Sequence, residues 1–377
     1  MRPRIVAVAV LAAAAAAAVS HAEPDRRSQA APAAHRSIQR LVFAGPALAG
    51  GSIVWGERYR DGSLAVIRQP LGGRPRVLHV ISAPTGEDRE RHFLGLPGAL
   101  SASSVWIAYG LDDATVTSHG DSVSSEAAAR AFASRHGAPF RDALANCSAG
   151  AYIATASAGE AVAIGQSSAD CDGQSGTRVW LVEGRAPAPR LIYASPDPHL
   201  GLRQVQLAGR WVAWSEGGTG AGDTRITVAD RRTGEVAARL RPEDFAGGHA
   251  FSAFDIDADG TLVALSGRQP RCYYVCVSWR RLNGRRSHTI SRRALDQRVA
   301  IAAGRIAYVT QRRLHAHRLI LARLDGRVLR RFGRFGRSRR PVGDIALTPH
   351  RIAWAVLHSD GELVPGAQGS VHTATLP

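Results

Sequence analysis

The chain has 377 residues, of which 45% are hydrophobic and 21% are charged, and its formal net charge is +17. This composition excludes an intrinsically disordered chain, because disorder goes with low hydrophobic content. The excess of 48 basic over 31 acidic residues indicates a basic surface or an anionic partner.

The first 22 residues have the pattern of a secretory signal peptide. Arg2 and Arg4 precede an uninterrupted apolar run from Ile5 to Val19, and small residues follow at the positions typical of cleavage after Ala22. The run is shorter than the roughly 20 residues that a membrane-spanning helix needs. We therefore expect a secreted or extracytoplasmic mature chain without a transmembrane segment. Residues 23–36 show no periodicity and predict a flexible leader, with the folded domain over 37–377.

Seven short segments repeat one pattern, a turn followed by an apolar strand with a small residue at its centre. The central residues are Val54, Ala108, Ala163, Ala213, Ala264, Ala307 and Ala353. Their spacings lie between 43 and 55 residues, and the four-stranded blades of β-propellers repeat at roughly 40–50 residues. The sequence thus predicts an all-β, seven-bladed β-propeller. Six or eight blades fit the spacing less well.

Apolar runs separated by glycine turns predict the strands within each repeat. The fourth repeat is the most regular, with predicted strands over 204–207, 211–214, 225–228 and 235–240. The second repeat differs, because Ser124 to Phe132 reads as a short helix that Gly137 ends. The seventh repeat is one strand short. We expect residues 37–40 to supply this strand, so that an N-terminal strand completes the last blade and closes the ring.

The turn glycine followed by Val-Ala-Trp, and the unit from Phe254 to Ala264 with its Asp-Gly turn, resemble the TolB-type and WD-repeat-like β-propellers of exported bacterial proteins. The resemblance covers roughly residues 37–376. It implies the propeller architecture, although the Trp-Asp dipeptide of WD repeats is missing. Because one fold hosts many functions, it leaves the activity open.

Four cysteines in a chain that is expected to be exported predict disulfide bonds. Cys147 and Cys171 lie equally far from Gly159, so a hairpin that turns there would place them opposite each other. Cys272 and Cys276 can join only if the three residues between them form a turn. A zinc site is the alternative for this second pair, but a second pair of ligands at the usual spacing is missing.

The strongest chemical signal is a basic stretch. From Arg268 to Arg351 the chain has 22 arginines against three acidic residues, a net charge of +19, so the rest sums to 17 − 19 = −2. Guanidinium groups bind phosphate and carboxylate through paired hydrogen bonds, and the stretch therefore predicts anion binding. The candidate residues are Arg312, Arg313, Arg330, Arg331, Arg334, Arg337, Arg339 and Arg340. The alternative is a solvated basic surface, since all basic residues of the chain are arginine.

Three other motifs have structural explanations that we prefer. Asp255, Asp257 and Asp259 begin like a calcium loop, but Ser266 stands where its glutamate belongs, so a strand and an Asp-Gly turn fit better. His315 and His317 share one face of a strand, where arginines would repel a metal ion. Residues 217–222 lack the Lys-Ser/Thr of a phosphate-binding P-loop and read as a hairpin turn.

Aromatic residues follow the repeat centres at five positions, where we expect packing between blades rather than a platform for sugars. These residues are Trp55, Tyr109, Trp214, Tyr308 and Trp354.

The sequence favours a monomeric binding scaffold that recognises a protein or an anionic envelope polymer through a rim or the channel mouth. Nucleic acid is not expected as a partner of an exported chain. No catalytic residues, metal ligands or cofactor are assigned. The alternative is a propeller-type lyase or glycan-active hydrolase with its site at the central channel.

Overall fold

The computed structural model describes the chain in eighteen stretches. These are residues 5–8, 41–59, 61–83, 89–93, 99–119, 122–135, 139–147, 152–171, 174–184, 188–195, 197, 200–217, 224–245, 250–267, 275–313, 316–335, 339–358 and 368–376. They are almost entirely β-strand, and every strand pairing is antiparallel. The described residues contain no α-helix, and their one helical element is a 3-10 turn at Pro242–Asp244.

The strands form six sheets, numbered here I to VI. Sheet I contains β2 (Leu41–Ala49), β3 (Ser52–Arg58), β4 (Leu64–Pro70) and β5 (Arg76–Ile81). Sheet II contains β6 (Arg89–Phe93), β7 (Leu100–Ala102), β8 (Trp106–His119), β9 (Ser122–Arg135) and β10 (Arg141–Cys147). Sheet III contains β11 (Tyr152–Ala158), β12 (Ala161–Cys171), β13 (Gln174–Glu183) and β14 (Arg190–Ala194). Sheet IV contains β15 (Gly201–Ala208), β16 (Trp211–Gly217), β17 (Arg225–Asp230) and β18 (Val236–Leu240).

Sheet V has seven strands because one long strand takes part in two meanders. Its strands are β19 (Phe251–Ile256), β20 (Thr261–Ser266), β21 (Val275–Arg281), β22 (His288–Ala302), β23 (Arg305–Arg313), β24 (Ala316–Arg323) and β25 (Val328–Phe335). The first half of β22 pairs with β21, from His288 to Ala294. Its end pairs with β23, from Val299 to Ala302, after a break in register.

Sheet VI contains the C-terminal strands and one strand from the start of the chain. Its strands are β26 (Arg339–Leu347), β27 (Arg351–His358), β28 (Gln368–Thr375) and β1 (Ile5–Val8). Strand β1 runs antiparallel to β28, with Ile5 opposite Ala374 and Val8 opposite Val371. The outer position of this sheet is thus filled from the segment that the sequence identifies as a signal peptide. Residues 37–40, which we expected at this edge, lie outside the described residues.

Turn glycines separate the first two strands of the meanders in sheets I, III, IV and V. Gly260 illustrates the reason, because its φ of +82° lies in the left-handed region that favours glycine. The Asp259 carboxylate accepts a hydrogen bond from the Thr261 amide across this turn, at 2.9 Å. The sequence prediction of a strand, an Asp-Gly turn and a second strand is confirmed here.

The hydrophobic core lies between neighbouring sheets, and the predicted aromatic positions are part of it. Trp55 of sheet I packs with Ala353 and Val371 of sheet VI. The Trp214 ring of sheet IV lies 4.5 Å from the Tyr193 ring of sheet III, measured between centroids. Such rings bury a large apolar area on both sides of the contact. Trp55 and Trp214 thus pack between neighbouring sheets, as the sequence predicted.

The predicted helix over Ser124 to Phe132 is wrong. These residues belong to β9, which pairs along its whole length with β8, from Trp106 opposite Arg135 to His119 opposite Ser122. The Tyr109 and Phe132 rings stack across this pair with centroids 4.9 Å apart. A full ladder of backbone hydrogen bonds and this cross-strand contact outweigh the helix propensity of an alanine-rich segment.

The strands that the structure describes do not contain the hairpin that was predicted to place Cys147 opposite Cys171. Cys147 ends β10, which pairs with β9, and it does not begin the strand that turns at Gly159. That strand, β11, begins at Tyr152, and Cys171 ends its partner β12. Cys276 is buried, and the described part of the chain contains no free cysteine. Cys272 lies outside the described residues, and the disulfide connectivity stays a prediction.

No helix in the described stretches is long and apolar enough to cross a lipid bilayer.

Candidate functional site

One cavity of about 420 Å³ is lined by residues from seven strands. These strands are β2, β7, β11, β15, β19, β22 and β26, the first of each meander. Small residues such as Ala47, Ala156 and Ala253 form much of its wall. The turns after these strands also line it, as Gly159 and Ala258 show, so the cavity extends to that end of the strands. Cavities of this volume are in the range of small-molecule sites.

The charged residues of this cavity cluster on one side. Asp255 of β19, Asp257 of the following turn, Arg298 of β22 and Asp344 of β26 line it together. The Arg298 Nε atom lies 3.3 Å from the Asp344 carboxylate. Arg298 lies in the break where the register of the β22–β23 pairing shifts, between Ala294 and Val299.

Asp255 is the most perturbed titratable group in the cavity. Removal from bulk water raises the pKa of its carboxyl group from 3.8 to about 7, and the charges of Asp257 and Asp344 act in the same direction. Its two oxygens accept backbone hydrogen bonds from the Ile256 and Ile301 amides, both at 2.8 Å. These bonds lower the pKa, but by less than burial raises it. The carboxyl group joins β19 to β22.

The neighbouring carboxylates also have structural partners. Asp257 accepts hydrogen bonds from the Ala258 amide at 2.8 Å and the Gly304 amide at 3.2 Å. Asp344 pairs with Arg298. Carboxylates from two strands and one turn therefore meet on one side of the cavity, where their hydrogen bonds and ion pair hold strands and turns together. General acid–base catalysis requires a carboxyl group free to reach a substrate proton.

Metal binding finds no support in the described residues, where no group of three or more His, Cys, Asp or Glu side chains is placed to hold an ion. His317 lies on β24, and His315 lies outside the described residues. Of the glycine-rich loop over 217–222, the structure describes Gly217, which ends β16.

Seven of the eight arginines selected from the sequence lie on three strands of two sheets. Arg312 and Arg313 end β23, Arg330, Arg331 and Arg334 lie on β25, and Arg339 and Arg340 begin β26 of the next sheet. Arg337 lies outside the described residues. On β25, Arg330 and Arg331 must point to opposite faces because side chains alternate along a strand. The Arg330 guanidinium lies 4.8 Å from the Phe332 ring centroid and donates to the Thr375 carbonyl at 3.5 Å, so it faces sheet VI.

A second set of eight arginines, all exposed, lies on the outer elements of sheet V. We call this set the basic wall: Arg281, Arg285, Arg286, Arg292, Arg293, Arg323, Arg327 and Arg331. Within the described ranges none of the eight takes part in an ion pair. The nearby acidic Asp325 accepts a hydrogen bond from the Arg327 backbone amide at 2.9 Å. Among the side chains that the structure describes, the basic wall is thus a positive surface without acidic ion-pair partners.

The basic wall adjoins the end of the strands where the cavity extends. The Leu282 amide donates to the Gly260 carbonyl at 3.1 Å, so the β21–β22 turn lies beside the β19–β20 turn that carries Asp257. The Trp279 indole donates to the Leu324 carbonyl at 2.8 Å, which holds the β24–β25 turn next to β21. Both arginine-bearing turns therefore lie at that end of the strands.

Comparison with solved structures shows the fold. The chain is similar to a prolyl endopeptidase (TM-score 0.53, 16% identity, covering 86% of this chain and 47% of that one). It is also similar to a puromycin-hydrolysing peptidase of Mycobacterium tuberculosis (TM-score 0.52, 15% identity, 88% and 55%). The chain spans about half the length of these two peptidases. No protein-family model matches it, and no curated protein matches it.

The third similar structure is itself a propeller. It is the β-propeller domain of the Trilobed protease from Pyrococcus furiosus, described as having an open Velcro topology (TM-score 0.51, 7% identity, covering 89% of this chain and 93% of that domain). Identities this low establish the fold alone. The fold class that results is a β-propeller-like, all-β protein, and the propeller resemblance expected from the sequence is confirmed.

Proposed function

We propose that this chain is an exported, seven-bladed β-propeller that acts as a binding scaffold for an anionic polymer. The basic wall carries the proposal, because eight exposed guanidinium groups without acidic partners create a field that concentrates polyanions. The wall spans two turns and four strands of sheet V. An extended anionic chain can contact such a surface at several points at once.

Seven blades follow from dividing sheet V at β22. The first strands then touch in a cyclic order, β2, β7, β11, β15, β19, β22, β26 and again β2. The cavity lined by all seven supports the same arrangement. An N-terminal strand on β28 would complete the last blade, and closure of this kind protects sheet edges.

Binding explains the structure better than lyase or hydrolase chemistry. The carboxylates at the channel wall accept amide hydrogen bonds or pair with Arg298. Acid–base catalysis by these carboxylates would need at least one of them free to exchange a proton with substrate.

Retention on a sulfated-dextran resin at graded salt tests the proposal. We expect the wild-type chain to elute above the physiological ionic strength of about 0.15 M, with strong dependence on salt because screening weakens exposed charges. Replacing Arg285, Arg286, Arg323 and Arg327 by Gln should shift elution to clearly lower salt.

A charge-matched control distinguishes the basic wall from net charge. The exposed Arg74, Arg76, Arg232 and Arg239 lie on sheets I and IV, and no ion pair involves them among the described residues. Replacing these four by Gln removes the same charge and should leave elution nearly unchanged. Equal shifts in both variants, or elution of the wild type below physiological salt, would refute the proposed function.

A further inference from the structure

A second cavity, of about 430 Å³, lies on sheet V away from the channel. Three arginines and three hydroxyl groups line it: Arg293, Arg318, Arg331, Ser291, Tyr308 and Thr310. None of the described residues that line it is acidic. Arg293 and Arg318 were not among the eight arginines selected from the sequence.

The strand register explains why these side chains converge. Arg331 of β25 lies opposite Ile320 of β24, which lies opposite Tyr308 of β23. Arg318 is two residues from Ile320 and therefore on the same face, opposite Thr310. Neighbouring strands are about 4.8 Å apart, so these residues form a compact grid. The first half of β22 adds Ser291 and Arg293 at its side.

The floor of the cavity is polar but protected from water. Tyr308 is 4% exposed, and its side chain forms a hydrogen bond with that of Ser291. Burial raises the pKa of the Tyr308 phenol above its ordinary value of 10, although Ser291 and the positive charge of Arg331 act against this. The phenol thus remains protonated at neutral pH. A protonated phenol can donate a hydrogen bond to an anion.

The charge of the cavity is uncompensated. Arg293, Arg318 and Arg331 take part in no ion pair with any described residue. Gathering three like charges in a concave site costs free energy unless an anion or solvent screens them. Guanidinium groups match the oxygens of phosphate-type anions through paired, charge-assisted hydrogen bonds.

We infer that this cavity is a specific binding site for a phosphate or sulfate ester, held by Arg293, Arg318 and Arg331 with Tyr308 at its floor. The inference rests on the proposed function and deepens it, because it assigns one anionic unit of the polymer to one place on the propeller. The basic wall would then hold the neighbouring units by charge alone.

The size and remaining walls define the ligand further. A cavity of about 430 Å³ exceeds the needs of a bare oxyanion and suits a small organic ligand. Ile320 and Val328 supply an apolar side. The ligand class is therefore a sugar- or polyol-sized unit that carries an ester oxyanion.

Calorimetric titration of the full chain with glucose 1-phosphate tests the site, with glucose and glucuronate as the uncharged and carboxylate probes. We expect glucose 1-phosphate to bind at least about tenfold more tightly than either. The double variant Arg293→Gln/Arg331→Gln should weaken binding by about 10- to 100-fold. Tyr308→Phe should weaken it about fivefold with no change in charge.

The control variant is Arg76→Gln/Arg239→Gln, which removes the same charge from exposed positions on β5 and β18, outside the basic wall and the cavity. It should change the affinity less than threefold, and circular dichroism establishes that all variants are folded. Equal losses in both double variants would overturn the cavity site, because the affinity would then follow net charge. Equal affinity for glucose and its phosphate would also overturn it, while retention on sulfated dextran tests the proposed function separately.

Discussion

Asp255 makes the stability of the fold depend on pH. Its pKa is raised to about 7 by burial, compared with 3.8 for a carboxyl group in water. The folded state therefore holds a proton that the unfolded chain releases between these two values. A group with a raised acidic pKa destabilises the fold as pH rises through that interval.

We predict that the free energy of unfolding falls between pH 4 and pH 8 in the wild type, and falls less in Asp255→Asn. A shift from 3.8 to about 7 sets an upper limit of about 4 kcal/mol on the difference, and water in the cavity reduces it. Urea unfolding of both chains at several pH values measures it. Parallel pH profiles would show that Asp255 does not titrate in this range.

The variant has a second effect, which is independent of pH. The Asp255 oxygens accept from two amides, on Ile256 and Ile301. An asparagine side chain has one acceptor oxygen, so one amide loses its partner, at a cost of about 1–3 kcal/mol. This offset should be present at low pH, where it separates the hydrogen-bond loss from the titration.

Sequence patterns identified the core residues that recur in each repeat better than the arginines that line the second cavity. Trp55 and Trp214 were placed correctly between sheets because their position in the repeat fixes the face on which they lie. The arginine cavity was missed because it depends on register across four strands. Arg318 and Arg293 are 25 residues apart in the chain, and no local pattern links them.

At the level of elements, strand prediction succeeded where glycine turns separate apolar runs. The predicted strand over 225–228 lies within β17, and that over 235–240 overlaps β18. It failed for β9, whose alanines and glutamate favour a helix in isolation. The decisive contacts come from β8, another long strand of equal length. Local propensity cannot include this pairing.

The outer edge of β28 gives a prediction about the N-terminus. Ile5–Val8 occupies this edge, and signal cleavage after Ala22 would remove it. We predict that a chain beginning at Glu23 keeps its stability, because residues 37–40 take the vacated edge. A chain beginning at Leu41 should lose about 2–4 kcal/mol, the worth of a few backbone hydrogen bonds.

Chemical unfolding of the full chain and of the two shortened chains measures this difference. Equal stability of the chains beginning at Glu23 and Leu41 would contradict the role of residues 37–40. A loss already present in the chain beginning at Glu23 would mean that β1 itself is needed at the edge.

At the scale of the whole molecule, a closed ring predicts cooperative unfolding. Five of the six hydrophobic clusters of the described residues join neighbouring sheets, as Trp354 of sheet VI and Phe332 of sheet V do at 5.2 Å between ring centroids. A sheet at the end of an open array would lack one such contact and unfold first. We expect tryptophan fluorescence and far-UV circular dichroism to report one coincident transition. Two separate transitions would indicate an open arrangement.

Strand β22 makes one seam of the molecule unlike the others. Its fifteen residues run without interruption from the outer position beside β21 to the channel beside β23. The two meanders that share it can separate only if β22 bends or loses part of its pairing. We therefore expect local opening at the seams that loops bridge before it occurs at this one.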